Sequence, residues 1–313
     1  MTKAAPGQAQ REGISLPDLF KLFPDDATAE RWFAENRWPG GEPACPHCGS
    51  LNVLSRAKHK TMPYRCRDCR KRFSVRTGTA MEASNLGFQT WAIATYLATT
   101  SLKGVSSMKL HRDLGITQKS AWHLSHRIRE AWQHNGPPTF GGPVEADETY
   151  IGGKEHNKHA NKKLRAGRGP VGKVAVAGVK DRETGQVSAA VVHSTDGPTL
   201  KPFVRSRIAQ EADVYTDEHA SYRGLENHET VAHSVGEYVN GQAHTNGIES
   251  FWSMLKRGYY GTYHRMSPKH LDRYVSEFAG RHNQRPLDTI DQMREVWRGM
   301  IGKRLRYSDL TAE

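Results

Sequence analysis

Three carboxylates in the second half of the chain, Asp147, Asp217 and Glu249, could together hold divalent metal ions. Mg²⁺ prefers oxygen ligands and keeps coordination positions open for a substrate. Two such ions, about 3.5–4 Å apart, can activate a water or a 3′-hydroxyl and stabilise the oxygen that leaves phosphorus. This set therefore predicts phosphodiester chemistry that depends on Mg²⁺ or Mn²⁺. Spacing alone leaves a second interpretation open, because any basic domain of this size contains acids by chance.

The sequence around the first two acids predicts strands. Residues 144–151 are predicted to form a strand in which Glu145 and Asp147 share one face, while Glu148 points to the other. Asp217 ends a short apolar strand that begins at residue 213, so its side chain is expected to open onto a cleft. Three strands, a helix, a strand and further helices over residues 143–285 predict a mixed α/β domain.

The third acid is predicted to lie on an amphipathic helix. The apolar residues recur with helical spacing and form one predicted buried stripe: Ile248, Phe251, Trp252 and Leu255. Glu249 and Lys256 are then two turns apart on the polar face, with Asn246 and Ser253 beside them. This face is a plausible site for a metal and a phosphate. Whether Asn246 supports the metal is left open at this stage.

Two cysteine pairs predict a metal site of a different kind. Cys45 and Cys48 form one CxxC motif, Cys66 and Cys69 form another, and 17 residues separate them. Zinc needs four soft ligands in a tetrahedron, and pairs at this spacing supply them. Two disulfides or free thiols are the alternative. His47 lies inside the first motif, but four cysteines already complete the shell, so the predicted zinc is structural.

The charge of the chain points to a polyanionic partner. Lys and Arg number 45 against 33 Asp and Glu, which gives a formal charge of +12. Nucleic acid is the commonest partner of such a surface, and a basic protein without that partner is the alternative. The N-terminal residues are polar, and the longest uncharged run, residues 86–102, is too polar to span a membrane. The sequence therefore predicts an intracellular, cytoplasmic protein without a membrane partner.

A helical region follows the cysteines. Residues 106–115 and 118–132 are predicted as helices joined by a turn, which is helix-turn-helix geometry. A small helical core is the alternative interpretation. The second helix carries basic residues suited to DNA contact: Lys119, His123, His126, Arg127 and Arg129. The predicted division of the chain is a disordered lead (1–26), a helix plus zinc ribbon (27–80), a helix-turn-helix-like region (81–135), the α/β domain (143–285) and a C-terminal tail (286–313).

Taken together, these motifs resemble the zinc-ribbon group of bacterial insertion-sequence DDE transposases. The resemblance covers about residues 25–285 and is carried by the CxxC pairs and by four later segments: residues 144–153, 215–217, 244–258 and 261–283. It implies an RNase H-like catalytic domain in which Asp147, Asp217 and Glu249 are the catalytic, metal-binding acids. Only 31 residues separate Asp217 from Glu249, which leaves no room for a large inserted domain.

The resemblance also implies a substrate, double-stranded DNA at transposon ends and at the target. Lys256 and the neighbouring Arg257 would contact the transposon end. Joining two ends makes a homodimer or a larger assembly the expected active form. In a DNA enzyme, the basic stretch 154–173, including Lys162, Lys163 and Arg165, is expected to contact the DNA backbone, although a solvated loop is the alternative.

Two rival functions fit part of the sequence. A DNA-binding regulator built on the zinc ribbon and the helix-turn-helix would make the acids incidental. An RNase H-like nuclease would cut DNA without joining it. The three acids together with the resemblance favour a transposase that cleaves DNA and transfers strands.

Overall fold

The computed structural model describes residues 11–55, 57–133, 136–153, 155–164, 170–231 and 244–312. The chain divides into two units. The first combines residues 1–133 with residues 285–313, and the second comprises residues 134–284.

Both units contain helices and strands. The first unit begins with α1 (Leu16–Leu22), α2 (Asp26–Arg37), β1 (Val53–Leu54), β2 (Tyr64–Cys66), β3 (Arg72–Phe73), α3 (Phe88–Thr100), α4 (Ser107–Leu114) and α5 (Gln118–Arg129). The second unit contains β4 (Val144–Ile151), β5 (Val174–Asp181), β6 (Val187–Val192), α6 (Gly197–Arg205), β7 (Val214–Asp217), β8 (His228–Val231), α7 (Asn246–Gly258) and α8 (Leu271–Asn283). The first unit then resumes with α9 (Thr289–Met300) and α10 (Tyr307–Thr311).

Helix α9 completes the core of the first unit, although the sequence suggested only a tail over residues 286–313. Its apolar residues recur at helical spacing, and Trp297 is fully buried. The Trp297 ring packs edge-on against Phe33 of α2, with centroids 4.9 Å apart, and its indole N–H donates to the Phe33 carbonyl oxygen at 2.9 Å. The last segment of the chain is therefore part of the same core as the first helices.

The N-terminal lead also differs from its prediction. Residues 1–26 were expected to be disordered, but residues 16–22 form α1. Ser15 caps this helix by accepting a hydrogen bond from the backbone N–H of Asp18, and Leu19 and Phe23 are buried. Residues 1–10 lie outside the described part of the chain. The prediction of disorder was based on the polar residues at the start of the chain, which did not indicate that Leu19 and Phe23 would be buried.

Gly299 marks a close approach within the first unit and gives a stability prediction. A Cβ atom at this position would collide with the backbone carbonyl of Ala131, which cannot move aside as a side chain can. Alanine favours a helix over glycine by about 1 kcal/mol, whereas overpacking costs about 1–3 kcal/mol. We expect Gly299→Ala to lower the free energy of unfolding in a thermal melt. Gly13→Ala, which meets no atom within 4 Å, is the control. A stabilised Gly299→Ala protein would contradict the predicted collision.

The second unit is built on a five-stranded mixed sheet in the order β6-β5-β4-β7-β8. Strand β4 pairs antiparallel with β5 and parallel with β7. Apolar residues of α7 and α8 pack on one face of this sheet, and those of α6 pack on the other. The predicted RNase H-like mixed α/β fold is confirmed, and the opening strand has the predicted limits.

Candidate active site

Asp147 and Asp217 lie side by side where two parallel strands stop pairing. In the ladder between β4 and β7, Glu145 is the partner of Tyr215. Two residues further along each strand come Asp147 and Asp217, so both side chains extend from the same sheet face. Burial, together with the negative charges of Glu148 and Asp217, raises the pKa of Asp147 to about 7. The pair is therefore a partly buried concentration of negative charge.

The indole of Trp252 fixes the position of the Asp147 carboxylate. Its Nε1–H donates a hydrogen bond to Oδ2 of Asp147 at 2.9 Å. Gly178 of β5 lies directly opposite Asp147 in the sheet, and a Cβ there would lie 2.7 Å from Cη2 of Trp252. The glycine thus leaves the space that this indole occupies. Sequence reasoning placed Trp252 only in the core and missed Gly178, although a glycine inside a predicted strand was the available signal.

A second acid reaches the same region from the opposite sheet face, as the strand pattern predicted. Glu148 accepts a hydrogen bond from the Tyr222 hydroxyl at 2.7 Å, and its Oε1 lies 3.8 Å from Nε2 of His219. The backbone N–H of His219 in turn donates to Oδ1 of Asp217 at 3.0 Å. Burial raises the pKa of Glu148. These contacts connect the strand of Asp147 with the turn that follows Asp217.

Glu145 anchors the helix that carries the third predicted acid. Its buried carboxylate accepts hydrogen bonds from Nε of Arg182 at 3.0 Å and from the backbone N–H of Ile248 at 2.8 Å. The second contact lies in the first turn of α7, where unsatisfied N–H groups favour a negative charge. Glu145 therefore ties the start of α7 to β4, a role that the sequence did not reveal.

Glu249 lies in the first turn of α7 with its side chain exposed. Its Oε1 accepts a hydrogen bond from the Thr245 hydroxyl at 3.0 Å. The predicted polar face is present, since Asn246, Ser253 and Lys256 are exposed along the same helix. Within the described residues, however, Asp147, Asp217 and Glu249 do not form a group whose ligand atoms all lie within 4.8 Å of one another. The structure places the two aspartates next to each other. Glu249 lies on α7, about one helical turn before Trp252.

The four cysteines, unlike the three acids, bring their ligand atoms close together. The Sγ atoms of Cys45, Cys48, Cys66 and Cys69 all lie within 4.8 Å of one another, and no disulfide joins them. A hydrogen bond from the backbone N–H of Cys69 contributes most to lowering the pKa of the Cys66 thiol to about 7. Four thiols that converge in this way match a tetrahedral structural zinc site.

Comparison with known proteins identifies the family. Residues 24–72 match the family profile described as a transposase zinc-ribbon domain, and residues 139–283 match the ISXO2-like transposase domain. The two matches together cover more than half of the chain. The chain belongs to the zinc-ribbon transposases of insertion sequences.

Two curated relatives agree with this assignment. The transposase is 29% identical over 252 residues to a Halobacterium salinarum protein described as an uncharacterized protein in transposable element ISH50, with 76% of this chain and 84% of the relative covered. It is also 26% identical over 121 residues to an uncharacterized transposase-like protein of Haemophilus influenzae. That match covers 37% of this chain and 97% of the relative.

Most of the cations that were predicted to contact DNA are exposed in the transposase. Lys256 and Arg257 lie on the exposed face of α7, and Lys163 is exposed in the basic stretch. Lys119 is exposed at the start of α5, where its ammonium lies 4.4 Å from the centre of the Tyr307 ring. These four side chains are therefore available to a polyanion.

The prediction that Arg127 contacts DNA is wrong. The side chain is buried, and its guanidinium donates to the carbonyl oxygens of Leu305 at 3.2 Å and Glu82 at 3.0 Å. It holds backbone segments together and does not present its charge to DNA. Its neighbours His126 and Arg129 are also buried. The predicted contacts at Arg165 and at the side chain of Lys162 lie outside the described residues.

No helix in the described ranges of the transposase has the length and apolar character needed to cross a membrane.

Removal of the zinc tests the cysteine site. Beside the cysteines, Tyr64 of β2 packs edge-on against Trp38 at the end of α2, with centroids 5.2 Å apart. We expect Cys66→Ser to abolish binding of one equivalent of zinc and to lower the Tm of the protein by several degrees, because the ribbon loses its cross-link. His47→Ala is the control, since His47 is exposed and is not part of the cysteine group. Zinc analysis that finds a full equivalent in Cys66→Ser would refute the site.

Proposed function

We propose that this transposase binds the ends of its element as duplex DNA and catalyses metal-dependent cleavage and strand transfer, with Asp147, Asp217 and Glu249 as the catalytic acids. The observation that carries the proposal is the Asp147–Asp217 pair. Burial, followed by the negative charges of Glu148 and Asp217, raises the pKa of Asp147 to about 7, so the ionised carboxylates repel one another in a poorly solvated place. A divalent cation would relieve this repulsion.

The donor set fits a hard cation. Asp147 and Asp217 offer only oxygen ligands, which suit Mg²⁺ or Mn²⁺ and not a soft metal. Glu249 would complete the set from α7. When bound, the metal would lower the pKa of an attacking water or 3′-hydroxyl and stabilise the leaving oxygen.

The surrounding residues of the transposase orient this set. Trp252 holds the Asp147 carboxylate in one orientation, and Glu145 fixes the beginning of α7 against β4. Further along the exposed face of α7, Lys256 and Arg257 would bind phosphates next to the scissile bond. Because Glu249, Lys256 and Arg257 lie on one helix, α7 would set the distance between the third acid and the phosphate-binding cations.

Tyr222 is proposed as a positioning residue for the aspartate pair. Its hydroxyl holds Glu148, which faces His219 in the turn that orients Asp217. We expect Tyr222→Phe to raise the Mn²⁺ concentration needed for half-maximal cleavage by about tenfold, because a hydrogen bond to a carboxylate contributes about 1.5–3 kcal/mol.

The control for this prediction is Tyr260→Phe, since Tyr260 is exposed on the segment after α7. Initial cleavage rates would be measured across a Mn²⁺ titration, and loss of fold would lower the maximal rate without moving the midpoint. Identical midpoints for the two variants would remove Tyr222 from the proposed site.

Strand transfer of labelled end DNA in the presence of Mg²⁺ or Mn²⁺ tests the function itself. Joined strands are the expected product. Cleaved ends without joined strands would indicate a nuclease, and metal-independent binding without any product would indicate a DNA-binding regulator. We further propose that the active complex, in the cytoplasm at the nucleoid, contains at least two protomers, because two ends must be joined. Sizing of the protein–DNA complex tests this stoichiometry.

A further inference from the structure

The zinc ribbon has one exposed sheet face on which like charges are adjacent. Strands β1, β2 and β3 form an antiparallel sheet in which Leu54 pairs with Arg65, and Arg65 pairs with Arg72. All three side chains are exposed. Like charges directly opposite each other on neighbouring strands are destabilising. We call Arg65, Arg72 and the three cations of the adjoining turn, Arg67, Arg70 and Lys71, the ribbon face.

Within the described ranges, none of these five cations forms an ion pair. Arg72 donates to the carbonyl oxygen of Lys58 at 3.3 Å, which leaves its charge uncompensated. The nearest acid in sequence, Asp68, accepts hydrogen bonds from the side chains of Ser50 and Asn52. Elsewhere in the same unit, the exposed Arg298 is paired, with Glu295 at 2.6 Å. The ribbon face therefore carries positive charge without a counter-charge of its own.

The opposite side of the same sheet is apolar and packed. Phe73 and Cys66 are fully buried, and the Tyr64 and Phe73 rings stack with centroids 5.3 Å apart. The aromatic side chains thus lie beneath the sheet, and none of the five residues of the ribbon face offers a ring for base stacking. Single-stranded nucleic acids are usually bound through such stacking. The ribbon face has only the cations that suit a phosphate backbone.

We propose that the ribbon face is a binding surface for the phosphate backbone of duplex DNA, with Arg65 and Arg72 contacting phosphates in a manner independent of sequence. This inference rests on the proposed function and assigns part of its DNA contact to the first unit, whereas the acids belong to the second. The bound phosphates relieve the repulsion between the paired arginines.

Salt-dependent binding tests the proposal. Fluorescence anisotropy of a labelled duplex, titrated with the full chain at several KCl concentrations without added Mg²⁺ or chelator, gives the slope of log K against log salt. Each neutralised phosphate contributes about 0.9 to that slope, so Arg65→Gln/Arg72→Gln should reduce it by about 1.8. The loss should be the same for an element end and for an unrelated duplex.

The matched control is Arg294→Gln/Arg298→Gln, which removes the same charge from exposed ion pairs in the same unit. A ribbon variant with the slope and affinity of this control would overturn the proposal. A loss confined to the element end would overturn it too, because that would indicate base reading. Single-stranded DNA that competes as well as the duplex would exclude duplex backbone as the ligand.

Two further measurements separate this proposal from the catalytic one. One equivalent of bound zinc in the ribbon variant shows that its fold is retained. If the ribbon proposal fails, wild-type protein still cleaves DNA. If the catalytic proposal fails, wild-type protein shows the ribbon-dependent salt slope but yields no cleaved or joined product.

Discussion

Replacement of Asp147 by asparagine is expected to lower the rate of metal-dependent DNA cleavage by about a thousandfold. The change removes the negative charge that would hold the metal while it keeps the shape of the side chain and an oxygen for the Trp252 indole. Loss of several kcal/mol of transition-state stabilisation from a metal corresponds to this factor, at about 1.4 kcal/mol for each tenfold. Asp217→Asn should have an effect of similar size.

The matched control for the catalytic prediction is Asp213→Asn. Asp213 is exposed just before β7, the strand that ends in Asp217, so the same chemical change is made away from the site. Single-turnover cleavage of labelled end DNA, with protein in excess, measures the chemical step for all three variants. An Asp147→Asn protein as active as Asp213→Asn would remove Asp147 from the catalytic set.

Asp147 should make the free energy of unfolding of the transposase fall as the pH rises. Its pKa rises from an ordinary value of 3.8 in the unfolded chain to about 7 in the folded one. Between these values the folded protein binds more protons than the unfolded chain, so the free energy of unfolding falls as pH rises from about 4 to about 7. The shift corresponds to at most about 4 kcal/mol at pH above 7.

Asp147→Asn should therefore stabilise the metal-free protein above pH 7 and leave it unchanged near pH 4. Thermal unfolding of the full chain across this range, with Asp213→Asn alongside, measures the difference. Added Mn²⁺ should raise the Tm of the wild-type protein and leave that of Asp147→Asn unaffected. If the Tm of the wild-type protein equals that of Asp147→Asn at every pH, ionisation of Asp147 does not destabilise the fold.

The sequence predicted the elements that carry the acids because their patterns are local. Alternation in β4 placed Asp147 and Glu148 on opposite faces, and the hydrogen bonds of Trp252 and Tyr222 agree. The helical spacing of Ile248 and its partners likewise predicted the buried face of α7. Period 2 and period 3.6 are properties of a few neighbouring residues, and a single sequence contains them in full.

The contacts that the sequence did not predict join residues distant along the chain. Arg127 has the composition of a DNA contact, but carbonyl groups 45 and 178 residues away bind its guanidinium. Gly178 matters only because β5 pairs with β4 and Trp252 packs over it. A periodic pattern shows which face of a helix or strand is buried, but not which distant segment covers it. For the same reason, the place of Glu249 relative to the two aspartates stays a prediction.

The packing of Trp297 against Phe33 has a consequence for biosynthesis. The ribosome makes the whole second unit between α2 and α9, so the core of the first unit cannot close before the second unit has been synthesised. A product of premature termination between residues 283 and 289 would contain the whole sheet of the second unit and both aspartates but would lack the helix that completes the core of the first unit. Such a fragment would expose the apolar side chains that α9 covers, which would make it a substrate for quality-control proteases.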